Sequence, residues 1–418
     1  MSTSIASLLA FAVSTSLALA NGGGDEKKGN PYQGGSSWKP GQGLQLADGE
    51  DFSLRMSNQL QVGWEFQANE TSNDLNSFDV PRARIALTGH AVNKDLTYRV
   101  MLDGVDDGTS GGGALKDGWA QWAFSKSEGG SLALRLGQGL SGHGLESTGC
   151  EGGLFFVERS TASRQFGQDR TRDTGAWVHG SHSENKLRWV AGAMNDDVAS
   201  GSGFSTEGSS NGETELTYVG SVSFDPMGDM TNGKGNEAFT QGDLEGAKDV
   251  KGTIGAGIQL GNNTSTTPDN PDVESQQINI NTAWMLGNGL TAQGEIFLRT
   301  DDTTGGTSED TQGWYAQATY TLPKSGDSAI QWGFGARVNM IETDSASTFF
   351  TTIPGLLANG TVPVGNPGDV TELSLVADAF YHGHAAKTQI EYTWQDVSFD
   401  GGNDSTNHII RVQFQLLF

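Results

Sequence analysis

The sequence predicts an all-β protein, a transmembrane antiparallel up-and-down β-barrel of about sixteen strands. Three features predict it. Apolar and polar residues alternate with period two from residue 53 to the end, the connections between these runs are long and short by turns, and aromatic residues gather at the ends of the apolar faces.

The alternation is clearest in LRMSNQLQVGWEFQ, where Leu54, Met56, Leu60, Val62, Trp64 and Phe66 share a face opposed by Arg55, Ser57, Gln59, Gln61, Glu65 and Gln67. Similar runs lie near 81–91, 96–103, 115–124, 131–138, 174–182, 187–194 and 215–224, then near 251–261, 276–286, 290–299, 311–322, 329–340, 370–381, 386–396 and 406–418. Runs of roughly 8 to 14 residues suit tilted strands that cross a membrane. Long connections (68–77, 104–114, 139–173, 195–214, 262–275, 300–310, 341–369) alternate with short ones such as VNKD, SENK and GNG, the pattern of a meander with turns at one end and loops at the other. Residues 225–252 break the rule: parity puts this long stretch at the short-turn end, and the pattern gives no account of it.

A soluble β-sandwich has the same period, so the apolar face decides. Trp64 and Phe66, Trp122 and Phe124, Trp284, Trp314, Tyr320, Trp332, Tyr392 and Trp394 stand near strand ends, with Ala, Val, Leu and Gly between them. Amphipathic rings at strand ends suit a lipid–water boundary, whereas a sandwich core buries its aromatics centrally. The opposite face, rich in Gln, Asn, Ser, Thr, Arg and Glu, suits a wet lumen. In the last strand, His408, Ile410, Val412, Phe414, Leu416 and Phe418 share the apolar side. Lipid covers that side, pairing with the first strand satisfies the backbone, and the ending resembles the assembly signal of bacterial outer-membrane barrels, which makes Phe418 the candidate signal residue and the barrel-assembly machinery an expected partner.

Composition agrees with an ordered chain. Gly numbers 60 and Pro only 10, but 10 Trp, 19 Phe and 7 Tyr are too many for disorder. Residues 1–20 have an apolar centre and the small residues Ala18 and Ala20, so they are expected to be a signal peptide cleaved after Ala20. Residues 21–52 are expected to form a Gly-rich periplasmic N-terminal segment and residues 53–418 the barrel. No stretch after the signal reaches the ~20 apolar residues of a spanning helix. The single Cys150 excludes an internal disulfide framework.

Several stretches resemble the phosphate-selective porin O and P family: FDVPRARIALTGHAVNKDLTYRVMLDG (78–104), LKDGWAQWAF (115–124), LALRLGQG (132–139), GLFFVERS (153–160), DAFYHGHAAKTQIEYTW (378–394) and the closing RVQFQLLF. Glu158, Arg159 and Ser160 match the family's acidic ERS stretch and Arg172 precedes Gly175, while GQGLSGHG (137–144) lacks the Lys of the family's bend. The resemblance implies a sixteen-stranded barrel, a homotrimer, and a loop 139–173 that folds into the channel. In that loop Arg159, Arg164, Arg170 and Arg172 stand against Glu146, Glu151, Glu158, Asp169 and Asp173. With Arg82, Arg84 and Arg135 on neighbouring strands, Arg159, Arg164, Arg170, Arg172 and Glu158 are the expected pore-lining and constriction residues. Guanidinium groups attract oxyanions by charge and paired hydrogen bonds, but the same arginines could instead pair with the neighbouring acids and pin the loop.

Other motifs carry less. Gly137, Gly139 and Gly142 spell a dinucleotide-binding fingerprint without the helix it needs, and fit a loop entering the lumen better. His382 and His384 lack a third ligand and read as a solvated turn. The net charge of -25 arises largely in the long loops, at Asp106, Asp107, Asp196, Asp197, Glu207, Glu213, Asp301, Asp302, Glu309 and Asp310: an acidic rim, or a weak site for divalent cations. The inward charges are mixed and mildly basic. No catalytic set, metal signature or cofactor motif stands out, and no nucleic-acid partner is expected.

The expected protein is a non-enzymatic porin in the outer membrane of a Gram-negative-type bacterium. It contacts outer-membrane lipid and passes small inorganic ions or hydrophilic solutes, with anions such as phosphate foremost. An anchoring barrel or a barrel enzyme would share the fold, and a secreted glycan-binding β protein would share the period.

Overall fold

In the computed structural model, residues 37–418 are described apart from 71–73, 106–113, 128, 169–171, 196–215, 232–234, 264–272, 304, 307, 325–327, 344–366 and 400–403. The expected signal peptide, the start of the N-terminal segment and Arg170 lie outside the described residues, as do the acids at 106, 107, 196, 197, 207 and 213.

The strands are β1 (Ser37–Lys39), β2 (Gly43–Asp48), β3 (Phe52–Asn69), β4 (Leu75–Ala91), β5 (Asn93–Asp103), β6 (Ala114–Ser127), β7 (Gly130–Leu140), β8 (Arg172–His182) and β9 (Leu187–Asn195). They continue as β10 (Leu216–Met227), β11 (Lys251–Asn263), β12 (Val273–Gly287), β13 (Leu290–Thr303), β14 (Ser308–Thr321), β15 (Gln331–Thr343), β16 (Pro367–Phe380), β17 (Ala386–Phe399) and β18 (Ser405–Leu417). From β3 onward each strand pairs antiparallel with the next, and β18 pairs with β3 to close a barrel of sixteen strands, the number read from the sequence. Closure leaves no strand edge with unpaired amides, which is the condition for a sheet to cross a bilayer. No helix among the described residues is long and apolar enough to cross a membrane.

The alternation is realised as drawn. Along β18 Ile410 and Phe414, and just past its end Phe418, are exposed on the outer surface, while Gln413 and Gln415 are buried inside. Trp122, Phe124, Tyr320, Trp332 and Phe334 are exposed at the short-turn end of the outer surface, where a lipid boundary accommodates rings. The turns are tight: Gly287, Asn288 and Gly289 all take positive φ between β12 and β13. Gly137 does so inside β7 (φ 121°), where an added Cβ would lie 2.2 Å from the Gly118 carbonyl of β6, so the glycine permits close strand approach.

β1 and β2 are additional to the barrel. They form a hairpin whose second strand pairs with β3 at Leu44↔Met56 and Gln45↔Arg55, just past the point where β18 ends at Leu417↔Gln59. The hairpin therefore continues the seam beyond the end of β18. Phe418 completes that seam, donating its N–H to the Asn58 carbonyl (3.0 Å) and accepting from the Asn58 N–H (2.6 Å). Deleting Phe418 removes both bonds and an outward ring, so the heat-modifiable assembled fraction in membranes is expected to fall. Assembly at the wild-type level would contradict this role.

Candidate constriction of the channel

The long connection between β7 and β8 turns inward at Gly142 (φ 87°) and Gly144 (φ 81°) and descends into the barrel. Its described residues contain only short helical turns, at Leu145–Thr148, Glu151–Gly153, Thr161–Ser163 and Arg164–Gln168. A buried segment so poor in regular structure carries backbone groups that need partners. The inner faces of β12 to β18 supply them. The N–H groups of Leu145 and Glu146 donate to the Glu295 carboxylate at 2.9 and 2.6 Å. Lys387 donates to the Leu154 carbonyl, Gln389 to that of Phe155 (2.7 Å), and Gln415 to that of Gly152 (2.8 Å). On the return limb, Glu391 accepts from Val157 N–H (2.8 Å), Arg337 donates to the Glu158 carbonyl (3.0 Å), and Asn339 accepts from Ala162 N–H (2.9 Å).

Apolar contacts add to this docking. Phe166 and Ala162 pack against Phe297, Ile341, Val370 and Val397, inward-facing strand residues that interrupt the polar lining. Nearer the short turns, Phe155 and Phe156 cluster with Val376 and Phe380. The loop thus occupies the side of the lumen bounded by β12–β18.

Its charged residues meet β4. Arg82 holds the Glu158 carboxylate through two parallel bonds, 2.9 and 2.7 Å, and also donates to Gln61 (2.8 Å). Glu151 receives Arg82 Nε at 3.2 Å, Arg84, and Arg159 Nη1 at 2.5 Å. Arg84 is shared with Asp103 (2.5 Å). Arg159 also donates to the carbonyls of Glu146 and Gly149, both at 2.8 Å. Higher on the wall, Asp117 bridges Arg99 (2.7 Å) and Arg172 (3.1 Å). The structure therefore brings Arg82, Arg84, Arg159 and Glu158 together and sets Arg172 beside the same wall. Arg164 is half-buried on the return limb. Arg159, expected at the lining surface, is instead 2% exposed, because both ends of its guanidinium are consumed inside the loop. It ties the loop to itself.

Burial alone would raise the Glu158 pKa, but Arg82, with Arg164 and Arg411 nearby, outweighs it and brings the carboxyl down to about 2. A pKa depressed from 4.5 contributes docking stability that is complete above 4.5 and is lost as pH falls through about 2. Pepsin should accordingly spare the loop at pH 4 and cut it only near pH 2. Cleavage already at pH 4 would contradict the pairing.

The described residues of the connection that parity could not explain, 228–231 and 235–250, also enter the barrel. Gln241 donates to Glu146 (2.8 Å), accepts from Phe155 N–H (2.8 Å), and donates its own N–H to the Gly153 carbonyl (2.8 Å). Phe239 and Met230 pack on Leu145 and Ala283. His384 donates to the Gln241 carbonyl (2.8 Å), so this histidine holds the insertion rather than sitting in a solvated turn. Sequence reasoning missed Gln241 and misread His384 as part of a solvated turn. The unexplained length at a short-turn position was the only signal.

Open space lies on the other wall. A cavity of about 280 Å³ is lined by β6–β10 residues including Gln121, Arg135, His179 and Arg188, by Thr148 of the descending loop, and by Asn236 and Glu237 of the insertion. Arg135, which lines this space, also stacks 4.1 Å over the Trp119 ring. Among the described residues no cluster of three or more His, Cys, Asp or Glu is placed to hold a metal ion. At the long-loop end, Asp301 is engaged by Arg299 and Ser275, and Asp310 accepts from Thr300 (2.7 Å).

Solved structures with the same fold include outer-membrane proteins. The channel DcaP of Acinetobacter baumannii superposes with a TM-score of 0.56 at 10% identity, over 88% of this chain and 98% of that one. An anion-selective porin from Comamonas acidovorans gives 0.53 at 11% identity, over 88% and 100%. The trimer form of OmpT from Vibrio cholerae gives 0.51 at 12% identity, again over 88% and 100%. At such identities the likeness establishes the fold. No curated protein sequence matches the chain. The profile described as phosphate-selective porin O and P matches residues 54–328. With its closed barrel and its inward loop between β7 and β8, the chain belongs to the phosphate-selective porin O and P family.

Proposed function

We propose that this outer-membrane porin is a passive diffusion channel with a modest preference for small inorganic anions, that it acts without catalysis, and that it assembles as a homotrimer. Export by a cleaved signal peptide and insertion by the barrel-assembly machinery belong to the same reading. The observation that carries it is the asymmetric filling of the lumen: the loop is docked on β12–β18, and the space left against β6–β10 presents Arg135, Arg188 and His179. Preference is modest because nearly every guanidinium has a carboxylate partner: Arg135 with Glu237, Arg188 with Asp225, Arg172 with Asp117. A paired arginine projects a dipole more than a charge, and salt screens the acidic outer rim beyond about 8 Å. Trimeric assembly is supported by the trimer form of the Vibrio cholerae protein of like fold.

Proteoliposome swelling tests the reading. Potassium salts of small oxyanions should enter faster than a neutral sugar of similar size. Swelling no faster than that of protein-free liposomes would overturn the channel, and equal rates for salt and sugar would overturn the preference.

A further inference from the structure

The insertion between β10 and β11 does more than support the loop above it. It starts beside Asp225, which holds Arg188 through two bonds of 2.8 and 2.7 Å and accepts from Met230 N–H (3.1 Å). A short 3-10 turn, Asn236–Ala238, then packs against the β6–β10 wall at the edge of the cavity. Here Glu237 meets Arg135 at 2.5 Å, and Asn236 accepts from Arg188 (3.2 Å) while donating to Ser223 (2.8 Å). Past this turn the chain crosses under the loop, and Asp243 accepts from Gly289 N–H (3.1 Å) and from Ala247 N–H.

Two properties of Glu237 separate it from the buried acids. Its side chain is 40% exposed, towards the cavity, whereas Glu151 is 3% exposed within the loop's ion pairs. Its removal leaves the insertion anchored, because Phe239, Gln241 and Asp243 hold the segment through contacts that do not involve it. The carboxylate is therefore not needed for packing, and it faces an arginine of the remaining lumen.

We propose that residues 235–250 form the second side of the constriction, from the short-turn end, and that Glu237 sets its charge selectivity by offsetting Arg135. This rests on the porin reading above. An anion passing through the cavity meets the guanidinium of Arg135 from the barrel wall and the carboxylate of Glu237 from the insertion, and the balance between them fixes the local potential. A unit charge acting through water over about 7 Å changes the occupancy of a monovalent ion about threefold.

The test is single-channel recording of the full-length protein in planar bilayers under a KCl gradient. Glu237→Gln is expected to raise the chloride-to-potassium permeability ratio about ninefold, a roughly threefold gain for chloride combined with a roughly threefold loss for potassium. Arg135→Gln is expected to lower it, and the double variant to return close to wild type. In a Cys150→Ser background, Glu237→Cys should lose conductance when a sulfonated methanethiosulfonate reagent is added on the short-turn side. Open channels of Glu237→Gln with an unchanged ratio would overturn the inference, as would open channels of Glu237→Cys that the reagent does not affect. A wild-type protein that forms no channels would overturn the porin reading itself, and the inference with it.

Discussion

Arg159→Ala is expected to release the inward loop without unfolding the barrel. The guanidinium joins the Glu151 carboxylate (2.5 Å) to the carbonyls of Glu146 and Gly149, all within the loop, at 2% exposure. Removing it leaves a buried carboxylate short of one partner and two carbonyls without donors, a loss of about 3 to 5 kcal/mol by analogy with broken buried pairs. Arg82 and Arg84 still face Glu151, so the lower end of that range applies. The barrel ladder itself is untouched. Limited proteolysis should therefore cut between 141 and 168 in the variant but not in the wild type, and single-channel currents should become larger and noisier. A protected loop with unchanged currents would show that Arg159 is dispensable to docking.

Leu134→Arg is expected to prevent assembly altogether. Leu134 lies in β7 opposite Trp122 and Val178, on the outer surface, one residue from the inward Arg135. A guanidinium on this face costs about 2 to 4 kcal/mol at the bilayer midplane and less towards the ring belt where Trp122 stands, and a β7 slip to bury it would turn every inward residue outward. The variant should fail to reach the heat-modifiable folded form, whereas Leu134→Val should reach it normally. Equal assembly of the two would mean that this face does not meet lipid.

The barrel was legible because its rule is local. Period two, loop parity and ring placement each leave a mark within one strand, so all sixteen barrel strands could be placed from the chain alone, and Ile410 and Phe414 fell on the outer side as read. The lumen was only half legible, because an inward polar residue has the same pattern whether it meets water or a loop. Glu295, Asn339, Gln389 and Gln415 read as the lining of a wet channel, yet each is buried and hydrogen-bonded to backbone of the loop between β7 and β8. Phe297, Ile341 and Val397 were the available clue: apolar residues on the inward side of a strand need a cover other than lipid. Arg159 shows the same limit at a single residue. Its spacing fits a pore-lining arginine and a loop tie equally well, and only the position of the Glu146 and Gly149 carbonyls distinguishes them. The insertion at 228–250 gave its length and nothing more, since its contacts are with residues far away in sequence.

The central claim is a water-filled channel, narrowed by the docked loop and faintly selective for anions through arginines that remain largely paired. The reversal potential of the purified protein in a planar bilayer, under a tenfold KCl gradient, tests it most directly. A small, reproducible shift towards the chloride equilibrium potential, reduced in Arg172→Ala, is the expected result. A shift towards the potassium equilibrium potential in the wild-type protein would contradict it.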